Sequence, residues 1–246
     1  MNLVIDIGNS SAKLAIFDSG KIVWQQKTEQ LSGALITQLK ARFEPVGKAI
    51  ISSVAGIAED VMQTLSAQIP FFVQLDHTTP LPVENGYGTP ETLGLDRLAA
   101  AAGASFLYPG QDILVIDAGT AITLDIIDAK GRFLGGNISP GIRTRFRALN
   151  HFTRKLPLCD KTDQWPLIGQ TTTEAIQSGV LNSVIFELDG MIDAVKKDFP
   201  KIITVITGGD SNFFDRKLKN AIFAQFEVTL IGLNYILEYN YNAYKK

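Results

Sequence analysis

One short pattern occurs twice in this chain. Val4-Ile5-Asp6-Ile7-Gly8-Asn9-Ser10-Ser11 returns near the middle as Val115-Ile116-Asp117-Ala118-Gly119-Thr120-Ala121-Ile122. Each copy is an apolar, β-branched run, then Asp-x-Gly-(Asn/Thr), then a second apolar run, Ala12 to Phe17 or Ile122 to Ile127. Such a run broken by Gly and small polar residues reads as strand, tight turn, strand. The repeat predicts two related halves, residues 1–111 and 112–246. Gly8 and Gly119 permit positive φ and close approach of a ligand to the backbone. Asn9, Ser10, Ser11 and Thr120 add short donors beside exposed N–H groups, a turn that can hold phosphate oxygens. Asp6 and Asp117 close their strands. Carboxylates there would repel a bare triphosphate, so they imply an intervening cation. Two facing bends of this kind would make a phosphate clamp between the halves. The chain has no G-x-x-x-x-G-K-[ST] and no G-x-G-x-x-G, which disfavours the P-loop and dinucleotide-binding folds.

Strands are predicted near 2–7, 12–17, 21–26 and 48–53, and helices over 31–43 and 57–68. Thr78 to Leu93 holds three prolines and two glycines around Tyr87, and reads as a long loop of the kind that carries function. An alanine-rich helix follows from Asp96 to Leu107. The second half opens with strands near 112–117, 122–127 and 132–138. Ile176, Val180, Val184, Leu188 and Ile192 then fall on one face of a helix over 172–197, opened by a Thr171-x-x-Glu174 capping box. A strand near 202–206 runs into Thr207-Gly208-Gly209, and a last helix covers 229–240.

Composition narrows the function classes. With 46% hydrophobic and 20% charged residues the chain can bury a full core. Its net charge of −2 gives no global field for nucleic acid or anionic membrane. No apolar run reaches the ~20 residues of a bilayer span. The start reads as a buried strand rather than a signal peptide, so the expected location is the cytoplasm. Cys159 stands alone, which excludes an intrachain disulfide.

Several motifs, in order and at their spacing, resemble the type III pantothenate kinases of the actin-like ATPase superfamily. They are Asp6-Ile7-Gly8-Asn9-Ser10, Gly94-Leu95-Asp96-Arg97, Asp117-Ala118-Gly119-Thr120-Ala121-Ile122-Thr123, Gly135-Gly136-Asn137-Ile138-Ser139-Pro140-Gly141, Thr207-Gly208-Gly209-Asp210 and Gly232-Leu233-Asn234. The first alone is common to many sugar and acetate kinases. Gly-x-Asp-Arg combined with the second Asp-Ala-Gly-Thr-Ala motif is far more specific. The resemblance implies an α/β, ribonuclease H-like fold with two duplicated half-domains, each a mixed sheet with helices. It also implies ATP-dependent phosphorylation of pantothenate to 4′-phosphopantothenate, the first step of coenzyme A synthesis. Implied with it are Mg²⁺, a monovalent cation (K⁺ or NH₄⁺) and a homodimer.

By the same resemblance Asp96 is the general base, with a plain helix N-cap as its alternative. Gly94, Leu95, Asp96 and Arg97 form the pantothenate loop, where the Arg97 fork suits the substrate's carboxylate or a structural salt bridge. Tyr87 is a substrate contact or a packing residue. Thr172 is a substrate contact at a helix N-terminus or a cap, with Thr171 and Thr173 leaving its register open. Asp6, Ile7, Gly8, Asn9, Ser10, Ser11, Ala12 and Lys13 form the first ATP loop, Thr120 the second contact, and Gly208 and Gly209 the adenosine side. Asp117 is the monovalent-cation ligand or a structural strand-end aspartate. Ser10 stands where many members have Thr, and Asp210 adds a charge near the adenosine side. Asp125 is expected as an outward strand residue or a supporting group. His77 and His151 have no metal-like spacing, and Arg143, Arg145, Arg147 and Arg154 read as a solvated helix face. Two other functions fit the same motifs: another actin-like small-molecule kinase, or a nucleotide-binding accessory regulator of transcription without turnover.

Overall fold

The structure, a computed structural model, describes residues 1–225 and 227–245. In chain order the elements are β1 (Asn2–Ile7), β2 (Ala12–Asp18), β3 (Lys21–Thr28), α1 (Gly33–Arg42), β4 (Lys48–Ser53), α2 (Glu59–Gln68), β5 (Phe71–Gln74) and β6 (Glu84–Asn85). A single 3₁₀ turn, Pro90–Thr92, precedes α3 (Leu95–Leu107). Then come β7 (Ile113–Ala118), β8 (Ala121–Ile127), β9 (Arg132–Pro140), α4 (Ile142–Phe152) and α5 (Thr172–Asp198). The chain closes with β10 (Ile203–Thr207), α6 (Ser211–Phe214), β11 (Phe223–Ala224) and α7 (Val228–Tyr244).

The residues group into two compact units. The first holds Met1–Gly110, Asp128–Leu134 and Glu227–Lys246, the second Gln111–Ile127 and Gly135–Phe226. This grouping differs from a single cut near residue 111 in two segments, 128–134 and the C-terminal helix. Phe133 packs against Tyr87, and α7 packs on α3, so contact rather than chain order decides their membership.

In the first unit the strand order is β3-β2-β1-β4-β5. β1 pairs antiparallel with β2 and parallel with β4. Alternation along the strands divides the apolar residues between two faces. Leu3, Ile5, Leu14, Ile16 and Ile51 meet Ile36, Leu39, Val61 and Leu65 of α1 and α2. Val4, Ala15, Phe17 and Ile50 meet Ala99 and Ala102 of α3 and Leu233 and Leu237 of α7. The second unit repeats the plan, with order β11-β10-β7-β8-β9, β7 antiparallel to β8 and parallel to β10. Leu114, Ile116, Ile122 and Leu124 pack there against Ile176, Val180, Val184 and Leu188 of α5. The first residues of β9 belong to the first unit, where Arg132 and Phe133 pair with β6.

β5, β6, α6 and β11 lie outside the predicted elements. All four span four residues or fewer, too short for an amphipathic period to reveal them. The expected Thr78–Leu93 loop therefore carries a two-residue strand and the 3₁₀ turn. The capping box forms as expected: Thr171 Oγ1 accepts the Glu174 N–H and the Glu174 carboxylate accepts the Thr171 N–H.

Candidate active site

Both repeated bends sit at the carboxyl end of the central strand of their sheet, where strand order reverses, the usual ligand position in open α/β sheets. In the first, the Gly8 N–H donates to the Ser11 carbonyl at 3.0 Å. In the second, the Gly119 N–H donates to the Ala121 carbonyl at 2.9 Å. Ile7 pairs with Ala12 but Ala118 with Ile122, so the first bend is one residue longer. The gapless alignment of the two motifs hid this insertion. Neither Gly8 nor Gly119 takes a positive φ, contrary to the expectation. Their missing side chains leave the bend open to a ligand instead: a Cβ on Gly8 would meet only the Ser11 carbonyl at 3.5 Å. A cavity of about 270 Å³ beside this bend is lined by Gly8, Asn9, Ser10, Ser11, Glu29 and Gly56.

The second bend is clamped from behind. The Thr120 carbonyl accepts the Gly141 N–H at 3.0 Å and the Thr144 hydroxyl at 2.7 Å, both from the start of α4. Gly141 is required there, because a Cβ would stand 2.0 Å from the Gly119 carbonyl oxygen. Gly208, at φ +94°, abuts the same bend, and the Asp210 N–H donates to the Ala118 carbonyl at 2.9 Å. The predicted Asp117, Thr120, Gly208 and Gly209 thus lie in one neighbourhood of the second unit. Asp210, an added charge in sequence, is neutralised by Lys161 at 2.6 Å.

The predicted substrate residues of the first unit also converge. The Arg97 guanidinium lies 5.7 Å from the centres of both the Tyr87 and Phe133 rings, which themselves meet edge to face at 5.9 Å. Arg97 is 6% exposed, so two aromatic faces and the surrounding core orient its fork. Tyr87 is held by its N–H bond to Asn85 Oδ1 at 3.1 Å. Phe133 is the residue that sequence reading missed; it lies 36 residues from Arg97, and no local pattern ties the two. Gly94 is the N-cap of α3, so Asp96 is not a simple N-cap. Asp96 lies in the first turn, half-buried, where its Oδ1 accepts the Arg97 N–H at 2.9 Å. A Cβ on Gly94 would come within 2.5 Å of that oxygen, so a larger residue here would displace the Asp96 carboxylate. Thr172 is exposed at the first position of α5, next to the N-cap Thr171.

Two further expectations are corrected. Of the two readings of Asp125, burial at 1% exposure overturns the outward one and leaves the supporting one. Arg145 is not part of a solvated face: it pairs with Glu187 at 2.6 Å and reaches the Pro140 carbonyl at 2.7 Å, while Arg143, Arg147 and Arg154 are exposed.

Among the described residues no three His, Cys, Asp or Glu gather as a metal cage. The donors on offer are single strand-end carboxylates, Asp6 and Asp117, beside bends able to hold phosphate. That set fits a hard cation whose remaining ligands are phosphate oxygens, carbonyls and water.

The type III pantothenate kinase family model matches residues 2–194. A type III pantothenate kinase of Phocaeicola vulgatus is 48% identical, over 98% of this chain and 99% of its own. One of Cytophaga hutchinsonii is 42% identical, over 98% and 100%. Among solved structures, a Campylobacter jejuni protein described as a Baf family transcriptional activator superposes with a TM-score of 0.62 at 27% identity, covering 98% of this chain and 99% of that one. A glucokinase from an Antarctic psychrotroph gives 0.54 at 12% identity, covering 97% and 98%, a likeness of fold alone. The architecture is that of the actin-like kinases, and the chain belongs to the type III pantothenate kinase family.

Proposed function

We propose that the protein transfers the γ-phosphoryl group of ATP to the primary hydroxyl of pantothenate, forming 4′-phosphopantothenate. The observation that carries this reading is the Tyr87–Arg97–Phe133 stack beside Asp96: a fixed guanidinium, able to take a carboxylate, adjoins a carboxylate able to take a hydroxyl proton. Family membership supports it.

In the proposed reaction the Arg97 fork binds the pantothenate carboxylate and Tyr87 covers the chain of the substrate. Gly94 and Leu95 supply backbone to it, and Thr172 adds a hydroxyl. Asp96 orients the primary alcohol and accepts its proton late in the transfer, as the new O–P bond forms and the bond from the γ-phosphorus to the β,γ-bridging oxygen breaks. ADP leaves with the bridging oxygen. Gly8 lets phosphate oxygens approach the bend, and backbone N–H groups from Asn9 to Ala12, with the side chains of Asn9, Ser10, Ser11 and Lys13, hold them. Thr120 does the same from its own bend, and Gly208 and Gly209 lie along the adenosine. Asp6 and Asp117 would hold Mg²⁺ and K⁺ or NH₄⁺ respectively, whose chemistry is to neutralise charge on the phosphates. The protein works as a homodimer in the cytoplasm, and no helix of the described residues is long and apolar enough to cross a membrane.

The test is a coupled assay of ADP release with ATP, Mg²⁺, K⁺ and pantothenate. Wild type turns over, and Asp96→Ala falls by about 10²–10⁴-fold, the range of a lost general base. Phosphorylation of a sugar but not pantothenate would move the chain to another actin-like kinase activity. Full biological activity in Asp96→Asn would favour a regulator instead.

A further inference from the structure

One buried group in the first unit has no use in the fold. Ser52, the fifth residue of β4, is 0% exposed, and its hydroxyl has no hydrogen-bond partner among the described residues. A buried hydroxyl left unpaired is costly, and alanine would fill the same position without that penalty. Its neighbours in the strand, Ala49, Ile50 and Ile51, are apolar and fully buried. A polar side chain at this point therefore needs another reason.

The sheet register supplies one. Ser52 is the parallel cross-strand partner of Asp6, and Asp6 is the antiparallel partner of Lys13. Residues paired in register project to the same face, so Lys13, Asp6 and Ser52 form one row across β2, β1 and β4. The row lies one pleat beyond Ala15, Val4 and Ile50, which pack under α3 and α7. It is thus the first polar row past the core, at the mouth of the first bend. Strands stand about 4.8 Å apart, a span that a serine hydroxyl and an aspartate carboxylate close with one hydrogen bond.

The second unit repeats the row. Asp117 is the register partner of Thr207 on β10 and of Thr123 on β8. By strand order, β4 corresponds to β10 and β1 to β7, so Ser52 and Thr207 are equivalent positions. Thr207 is also buried, at 2% exposure. A hydroxyl stands beside the bend aspartate in each unit, although one is serine and the other threonine.

We propose that Ser52 is a positioning residue for Asp6. With nucleotide present its hydroxyl donates to one Asp6 oxygen and fixes the rotation of the carboxylate, leaving the other oxygen directed at the cation and phosphates. The inference rests on the proposed function through the role given to Asp6.

The experiment compares wild type, Ser52→Ala, Asp6→Asn and the double variant. The readouts are thermal midpoint without nucleotide, ATP affinity by calorimetry with Mg²⁺, and kcat and KM for pantothenate. Ser52→Ala is expected to melt at or above the wild-type temperature, since it removes an unpaired hydroxyl. It should nevertheless lose about tenfold in ATP affinity or kcat, the size of one hydrogen bond to a charged group. KM for pantothenate stays within twofold. In the Asp6→Asn background Ser52→Ala should change ATP affinity by less than about twofold, because the partner charge is gone. A lower melting temperature with unchanged ATP affinity and kcat would overturn the proposal and make Ser52 a packing residue. An equal loss of ATP affinity in both backgrounds would also overturn it. Wild-type protein that binds ATP but leaves pantothenate untouched would sink the proposed function, while the affinity cycle would still judge Ser52.

Discussion

At Gly208 the backbone takes φ +94°, and a Cβ there would stand 2.4 Å from both the Ala118 carbonyl oxygen and Asp117 Oδ1. Two penalties coincide: a left-handed backbone costs a non-glycine residue ~1–2 kcal/mol, and overpacking costs ~1–3. Gly208→Ala is therefore expected to destabilise the protein by about 2–5 kcal/mol in denaturant unfolding and to weaken ATP binding in calorimetry. Stability and affinity both at wild-type level would show that the turn and Asp117 are not in rigid contact. The Gly-Gly pair was visible in the sequence as a turn after a strand, but its seat against Asp117 was not, because it joins positions about ninety residues apart in sequence. Asp96 was legible as a candidate through its motif. The aromatic bracket around Arg97 was only half legible, Tyr87 being in the motif context and Phe133 outside it.

Helix α7 shows what an element adds beyond its own periodicity. Gly103 of α3 and Gly232 of α7 face each other so closely that a Cβ on Gly232 would stand 1.8 Å from the Ala99 carbonyl oxygen, and one on Gly103 2.1 Å from that of Val228. Gly232-Leu233-Asn234 was legible as a motif, yet its purpose is packing. Polar residues complete the attachment. Asn2 Nδ2 donates to Asn234 Oδ1 and to Glu238 Oε1, each at 2.7 Å, and Lys48 forms an ion pair with Glu238. Burial opposes ionisation of Glu238, but the bonds from Lys48 and Asn2 outweigh it and hold the carboxyl below the ordinary glutamate value. A depressed folded-state pKa stabilises the fold above the unfolded pKa, about 4.3, and that stability is lost as pH falls through the lower folded value. Glu238→Gln should cost about 0.5–1 kcal/mol at pH 7, after allowance for solvent screening. The difference from wild type should begin to shrink as pH falls below about 4.3 and be gone once pH lies under the lowered folded value. A cost that persists unchanged into acid would mean that charge is not what Glu238 contributes.

For the molecule as a whole, the exposed apolar side chains of the second unit bear on assembly. Phe186 of α5 is 62% exposed, and Ile138, Phe152, Leu167 and Ile168 are exposed as well. Around Phe186 the outer face of α5 carries exposed Gly179, Ser183 and Gly190, a surface that another helix can approach closely. If the proposed homodimer forms through this face, Phe186→Glu will shift sedimentation from dimer to monomer at micromolar concentration and reduce turnover. A variant that remains dimeric would move the interface elsewhere. The sequence by itself determined the duplication, the two strand–bend–strand units, the long helices and the family. All of these are written in short-range spacing of apolar, Gly and Asp residues. Only the tertiary structure decided that α7 groups with the first unit, that Phe133 stacks on Arg97, and that Ser52 and Thr207 stand beside Asp6 and Asp117. Those facts come from strand register and close helix packing, which join residues distant along the chain and leave no local period to read.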